Sequence, residues 1–191
     1  MYKIQTLNRE QVVELWEVDR SEIIRSMYRM SVDDDSGKEK SLLEYPEYHD
    51  VKGFSEEDIQ LYTPILIECF DRDGYFYVIR EDDKSNTDRL GKIIGCAVLD
   101  SKRIGVNGDL LQLLFFYVGA DQRGKGLGKL LFKRCIEQLK NLDDVNGIYI
   151  SSIPAKNTVD FYLSQGCQLI DTPDPELYKR EPEDIHLIFK K

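Results

Sequence analysis

The segment "LLFFYVGADQRGKGLGKLLFKRCIEQLK", residues 113–140, constrains this chain more than any other. It opens within "DLLQLLFFYV" (109–118), a run apolar on both faces, as expected of a central strand covered on both sides. It closes with Leu127, Leu130, Leu131, Cys135, Leu139 and Leu142 at helical spacing on one face. Between them lies a loop carrying Gly124, Gly126 and Gly128. A helix N-terminus offers unpaired N–H groups and a partial positive charge, so a glycine loop at this place suits a phosphate-bearing ligand.

Three kinds of phosphate loop can be set against these residues. Gly119 to Lys125 reads G-x-x-x-x-G-K, but Gly126 follows where a nucleotide-binding P-loop needs the Ser or Thr that holds magnesium. A dinucleotide fingerprint, G-x-G-x-x-G, would need glycine at 129 or 131, and those positions hold Lys129 and Leu131. The third pattern fits: Arg123-Gly124-Lys125-Gly126-Leu127-Gly128 is R-x-x-G-x-G after a buried strand and before a helix. It resembles the acetyl-CoA pyrophosphate loop of the GNAT N-acetyltransferase superfamily. A second stretch, "IYISSIPAKNTVDFYLSQGCQLI" (148–170), resembles the later half of the same domain, a strand and then a helix with N…FY…G.

The resemblance implies a fold. It is an α/β domain with a mixed central sheet of about six or seven strands, helices on both faces, and a splay between the fourth and fifth strands. The whole chain, residues 1–191, is expected to form this one domain, in keeping with its length. The rest of the pattern reads as follows. "YKIQTL" (2–7) alternates as a strand, and Asn8 with Gln11 resembles a capping box. "REQVVELWEVDRSEIIRSMYRM" reads as helix, broken at "DRSE", with Asp19 or Ser21 capping its second half. "DDDSGKEK" is a polar loop, and "LLEYPEYHDVKGF" (42–54) is irregular. Ser55 opens a helix that kinks or restarts near Pro64. Strands follow at 75–80 and 91–100, separated by a polar turn, then the segment at 109–118. After the glycine loop and its helix come a strand at 147–152 and a helix ending at Gly166. "CQLID" and "DIHLIFK" close the chain as two strands around a Pro-rich loop.

Composition bounds the partners. Lys plus Arg is 26 and Asp plus Glu is 35, a net charge of −9, which argues against nucleic acid and mildly favours an amine. No apolar run approaches the roughly 20 residues of a bilayer span, and no apolar signal core stands at residues 1–10, so a cytoplasmic protein is expected. Cys69, Cys96, Cys135 and Cys167 form no C-x-x-C pair and sit among apolar neighbours; buried thiols and no metal are expected.

The resemblance also implies roles. Acetyl-CoA would be the co-substrate, held by Arg123, Gly124, Lys125, Gly126, Leu127, Gly128 and Lys129, by the Tyr117–Val118 strand edge, and by Asn157 on the pantetheine arm. The Val118 backbone N–H would stabilise the oxyanion. Tyr162 would lie beside the CoA sulfur as general acid. The base is not implied by the family; Glu22, His49, Glu183, Asp184 and His186 are candidates. Tyr45 and Tyr48, with Glu22 and His49, are expected near the acceptor's path. The acceptor is an amine on a small molecule or peptide, and the protein a monomer or homodimer. The alternative is a degenerate domain that binds acyl-CoA without turnover.

Overall fold

The computed structural model describes residues 2–32, 40–81 and 91–191. In chain order its strands are β1 (Ile4–Thr6), β2 (Glu22–Val32), β3 (Lys40–Val51), β4 (Tyr75–Arg80), β5 (Ile93–Ile104), β6 (Leu110–Val118), β7 (Gly147–Ser152), β8 (Gln168–Leu169) and β9 (Ile185–Lys190). The α-helices are α1 (Glu56–Asp71), α2 (Leu127–Leu139), α3 (Lys156–Ser164) and α4 (Pro175–Arg180). Seven strands form one sheet in the order β1-β4-β5-β6-β7-β9-β8, while β2 and β3 form a separate ribbon. Every neighbouring pair is antiparallel except β6 and β7.

The expected mixed sheet of six or seven strands is therefore present, with seven. Helices cover both faces. Leu127, Leu131, Phe132, Cys135 and Leu139 of α2 pack with Val159 and Tyr162 of α3 against one face. Val12 and Leu15 of a 3-10 helix (Glu10–Glu17) pack with Leu66 and Cys69 of α1 against the other. Residues 93–100 of β5 are buried without a break, as a strand covered on both faces must be. All four cysteines are buried and unpaired to one another.

Several expectations are corrected. The segment expected to be a pair of helices over residues 9–30 is a 3-10 helix followed by strand β2. Residues 42–54, expected to be irregular, lie mostly in β3, which pairs antiparallel with β2 from Glu22↔Val51 to Val32↔Lys40. Ile23, Ile24, Met27 and Met30 fall at spacings that a helix also produces. The ribbon leaves Ile23 exposed and buries Ile24, so cross-strand pairing decides its conformation. Asp19 accordingly caps no helix; its carboxylate accepts the Ser21 N–H at 2.9 Å in a tight turn. The Asn8–Gln11 capping box is present, with reciprocal bonds of 3.0 and 3.1 Å, but it opens the 3-10 helix. α1 runs through Pro64, and Asp174 with Pro175 starts α4 inside the expected Pro-rich loop. The polar loop at 33–40 and the polar turn before 91 lie mostly outside the described residues. Among the described residues, no helix is long and apolar enough to cross a membrane, and no group of side chains could hold a metal ion.

The ribbon is pinned to the start of α3. Tyr28 N–H donates to the Pro154 carbonyl at 2.7 Å, and Lys156 Nζ reaches both the Tyr28 hydroxyl (2.6 Å) and Asp160 (2.9 Å). The far side of the molecule is tied by Arg72, whose guanidinium donates twice to the Asp100 carboxylate, at 2.7 and 2.6 Å. Burial pushes the Asp100 carboxyl up, but the hydrogen bonds from Arg72 and the Lys102 N–H, with the Arg72 charge, outweigh it and hold it below the usual range. That contribution is complete above the unfolded pKa near 4 and is lost as pH falls further. Asp100→Ala should therefore cost about 1–3 kcal/mol at pH 7 in urea denaturation, and clearly less at pH 3.

Candidate active site

The site begins where two strands part. β6 and β7 pair only from Leu110↔Gly147 to Gln112↔Tyr149. Beyond that point the register of β6 against β5 passes from Leu99↔Leu113 to Val98↔Phe115, so Leu114 is an extra residue, a bulge that bends the strand. A cleft of about 300 Å3 opens there. Leu113 to Tyr117 form one wall and Ser151, Ser152 and Ile153 the other, with Thr158 and Tyr162 of α3 between them.

The strand edge on this cleft has free polar groups. Gly119 N–H donates to the Ile94 carbonyl at 2.9 Å. In an antiparallel ladder the next pair along, Val118↔Gly95, is then a non-hydrogen-bonded one. The Val118 amide thus points away from β5, toward the side that β7 has left, and the Phe116 amide does the same. The Tyr117 backbone turns to β5, and its ring lines the cleft.

At the end of β6 the glycine loop turns into α2. Gly124 (φ +76°) and Gly126 (φ +84°) are left-handed, and a Cβ built on either meets no atom within 4 Å. They are glycines for their backbone, and the space above them is open. Gly128 differs: a Cβ there would lie 3.2 Å from the Phe161 ring, so its smallness lets α2 and α3 approach. The α2 N-terminus has no side-chain cap and no acidic residue in its first turn, leaving its amides for an anion. Lys125 Nζ bonds Gln122 Oε1 at 3.1 Å, Leu127 is buried, and Lys129 is exposed in the first turn.

Arg123 turns back from this loop. It donates to the carbonyls of Val118 (3.3 Å), Ser21 (3.1 Å) and Arg20 (3.2 Å), and lies 3.6 Å from the Glu22 carboxylate. The Asn157 amide donates to that same carboxylate. Glu22 is thus shared between two residues expected to contact the cofactor, and it stands outside the cleft lining.

Tyr162 opens onto the cleft with 5% of its surface exposed. Burial pushes its hydroxyl well above the ordinary range, so it stays protonated. Phe116, Phe132 and Phe161 surround its ring, with centroids 5.3–6.0 Å away. His49 sits on the exposed ribbon with Nε2 2.7 Å from Glu47, and Tyr48 beside it is 61% exposed. Tyr45 is also on the ribbon, near Arg29. None of the three lines the cleft. His186 is buried, its Nδ1 2.8 Å from the Tyr149 hydroxyl. That hydroxyl also accepts from the Asp174 N–H, at 3.1 Å.

Sequence reading missed much of the opposite wall. Trp16, Arg20, Phe54, Asp58 and Tyr62 line it on the α1 side, and Arg180 and Glu181 line it from the α4–β9 segment, beside Asp184, which was already a candidate base in the sequence. Asp58 completes a capping box with Ser55. It also holds Arg20 at 2.9 Å, and that guanidinium lies 4.6 Å over the Phe54 ring. Nothing local in the sequence marks this second contact.

The chain belongs to the acetyltransferase (GNAT) family, whose family model matches residues 36–167. It is thus an acyltransferase of the N-acetyltransferase type. Solved structures of the same fold include a nourseothricin acetyltransferase, 17% identical with a TM-score of 0.69, the match covering 99% of this chain and 98% of that one. Another is a putative streptothricin acetyltransferase from Bacillus anthracis str. Ames in complex with acetyl coenzyme A, 16% identical with a TM-score of 0.66 over the whole of both chains. A GNAT-family acetyltransferase from Staphylococcus aureus Mu50 is 18% identical with a TM-score of 0.60, the match covering 98% of this chain and 97% of that one. No curated protein sequence matches the chain.

The two left-handed glycines give a stability test. Gly126→Ala meets no clash, so its cost is backbone strain alone, about 1–2 kcal/mol, measurable by urea denaturation.

Proposed function

We propose that this protein is an acetyl-CoA-dependent N-acetyltransferase that moves an acetyl group to a primary amine of a small molecule or peptide by direct attack in a ternary complex. The observation that carries the reading is one continuous feature: a parted pair of strands with free amides on β6, a capless glycine loop at its end, and a buried tyrosine facing the gap. An extended pantetheine arm could pair with the Phe116 and Val118 amides as an added strand would. The diphosphate suits the open side of the loop at residues 124–129, where successive N–H groups and the helix dipole favour negative charge. Asn157 would turn from Glu22 to the arm.

The chemistry asks little of the protein beyond placement. The amine attacks the thioester carbonyl, the Val118 N–H stabilises the charge on its oxygen, and Tyr162 protonates the leaving sulfur. A hydroxyl kept protonated by burial is suited to that donation. No covalent intermediate with the enzyme is needed, and Cys135 and Cys167, whose thiols burial pushes up, take no part. The name of one structural neighbour, a putative streptothricin acetyltransferase, makes streptothricin the first acceptor to try.

Acetyl-CoA should raise the melting temperature, and ATP with magnesium should raise it less. Gly126→Asp should abolish the acetyl-CoA shift and keep the fold, because aspartate tolerates the left-handed backbone and its carboxylate repels the diphosphate. Stabilisation by ATP and not by acetyl-CoA would mean the loop has been misread. Tyr162→Phe should lower kcat by about 100-fold or more with acetyl-CoA affinity nearly unchanged, read by thiol release over a panel of amines that includes streptothricin. Acetyl-CoA binding without turnover across that panel would favour a pure binding module.

A further inference from the structure

We propose that Asp184 anchors the reacting ammonium of the acceptor and accepts its proton; this rests on the acetyltransferase reading above. Three carboxylates line the cleft, and they differ in their partners. Asp58 is paired with Arg20 at 2.9 Å, and Glu181 with Arg180 at 3.4 Å. Asp184 makes no ion pair among the described residues. Among the described residues, its carboxylate accepts a hydrogen bond from the Ser151 hydroxyl, at 2.9 Å. It is therefore the lining carboxylate left for a cation from outside. Tyr162, which would protonate the leaving sulfur, opens onto the same cleft.

The position of Asp184 is built. Ser151 sits on β7 directly opposite His186 of β9, and its hydroxyl lies 3.5 Å from His186 Nδ1. Behind them, the Tyr149 hydroxyl fixes that imidazole at 2.8 Å. The exposed neighbour Glu183 has no such frame. The other candidates of the sequence stand elsewhere: Glu22 is taken by Arg123 and Asn157, His49 is out on the ribbon, and His186 lies behind Ser151.

Burial pushes the Asp184 carboxyl up to about 6. The Ser151 hydrogen bond and the Arg180 charge oppose this, and the Glu181 charge adds to it. From the other elements, α1 presents Asp58 and Tyr62, the segment before β2 presents Arg20, and β6 and α3 present Tyr117 and Tyr162. A carboxylate without a cation in such a place costs stability, which is what a site waiting for a cationic ligand looks like.

The protons balance. Asp184 takes one from R–NH3+, giving R–NH2 and a carboxylic acid. The nitrogen lone pair forms the C–N bond, the C–S bond breaks with its electron pair on sulfur, and Tyr162 gives its proton to that sulfur. The second proton leaving nitrogen returns to the Tyr162 oxygen through water. Asp184 then releases its proton to solvent, so one proton is set free per acetyl group moved.

The test is Asp184→Asn, with streptothricin as acceptor. We expect kcat/KM at pH 7 to fall about 100-fold or more, with the acetyl-CoA Kd unchanged. The acidic limb of the wild-type pH profile, bending near pH 6, should disappear. Glu181→Gln should move that bend to lower pH, since it removes a charge that raises Asp184. Thermal unfolding needs no acceptor and decides the case if streptothricin is not turned over. A carboxyl raised in the folded state supports stability below the unfolded pKa near 4 and loses that support as pH rises through about 6. Asp184→Asn should therefore raise the melting temperature relative to wild type at pH 7.5 and not at pH 4. A variant with wild-type kcat/KM and an intact acidic limb, or one less stable than wild type at pH 7.5, overturns the proposal and makes Asp184 a structural partner of Ser151. Failure of the wild type to bind acetyl-CoA would instead remove the acetyltransferase reading itself.

Discussion

The parting of β6 and β7 after three residue pairs is the constraint on which the site depends. A parallel pair buried between helices would normally continue its ladder, because an unpaired amide inside a protein is costly. Here the bulge at Leu114 turns β6 away, and the aromatic rings of α3 fill the inner side. Phe161 stacks on Phe116 at 5.6 Å, and Phe132 of α2 meets both edge-on at 6.3 Å. These rings pack on the α2 and α3 face of the sheet, and the β6 amides beyond the bulge face a gap. An extended polar ligand can supply what the missing ladder does not.

The two ends of that gap differ in charge. At the glycine loop there is an uncapped helix start with Lys125 and Lys129, suited to a diphosphate. At the other end Asp58, Glu181 and Asp184 meet Arg20 and Arg180, with the rings of Trp16, Phe54 and Tyr117 between. A chain with net charge −9 has carboxylates to spare on its surface, but these three are gathered from α1 and from the turn before β9. Such gathering favours a cationic acceptor over a neutral one.

What was legible in the sequence was local. Strand, glycine loop and helix are contiguous from Leu110 to Leu139, and each position is dictated by its neighbours: left-handed turns at 124 and 126, close packing at 128. The same holds for Tyr162, two turns into a helix that begins at Lys156. The ribbon was not legible, because β2 reads equally well at helical spacing and only its pairing with β3 settles the matter. The start of α4 could have been read from Asp174-Pro175, a cap followed by a proline at the first helical position. The acceptor wall could not. Asp184 and Glu183 were equal candidates in the sequence, and what separates them, burial and the Ser151 hydrogen bond, comes from elements distant in the chain.

One physical cause acts on both proposed proton carriers. Removal from water raises Tyr162 and Asp184 alike, since it disfavours the charged form of each. The consequences run in opposite directions. A phenol that starts near 10 is moved further from neutrality, so it holds its proton until a thiolate is generated beside it. A carboxyl that starts near 4 is moved toward neutrality, so it becomes a stronger base while remaining mostly ionised at pH 7. Burial around a single cleft thereby separates an acid from a base without a catalytic histidine. Both histidines are accounted for elsewhere, His49 on the exposed ribbon and His186 in the frame behind Ser151. The polarity of the reaction would follow from the burial of these two groups around the cleft where β6 and β7 part.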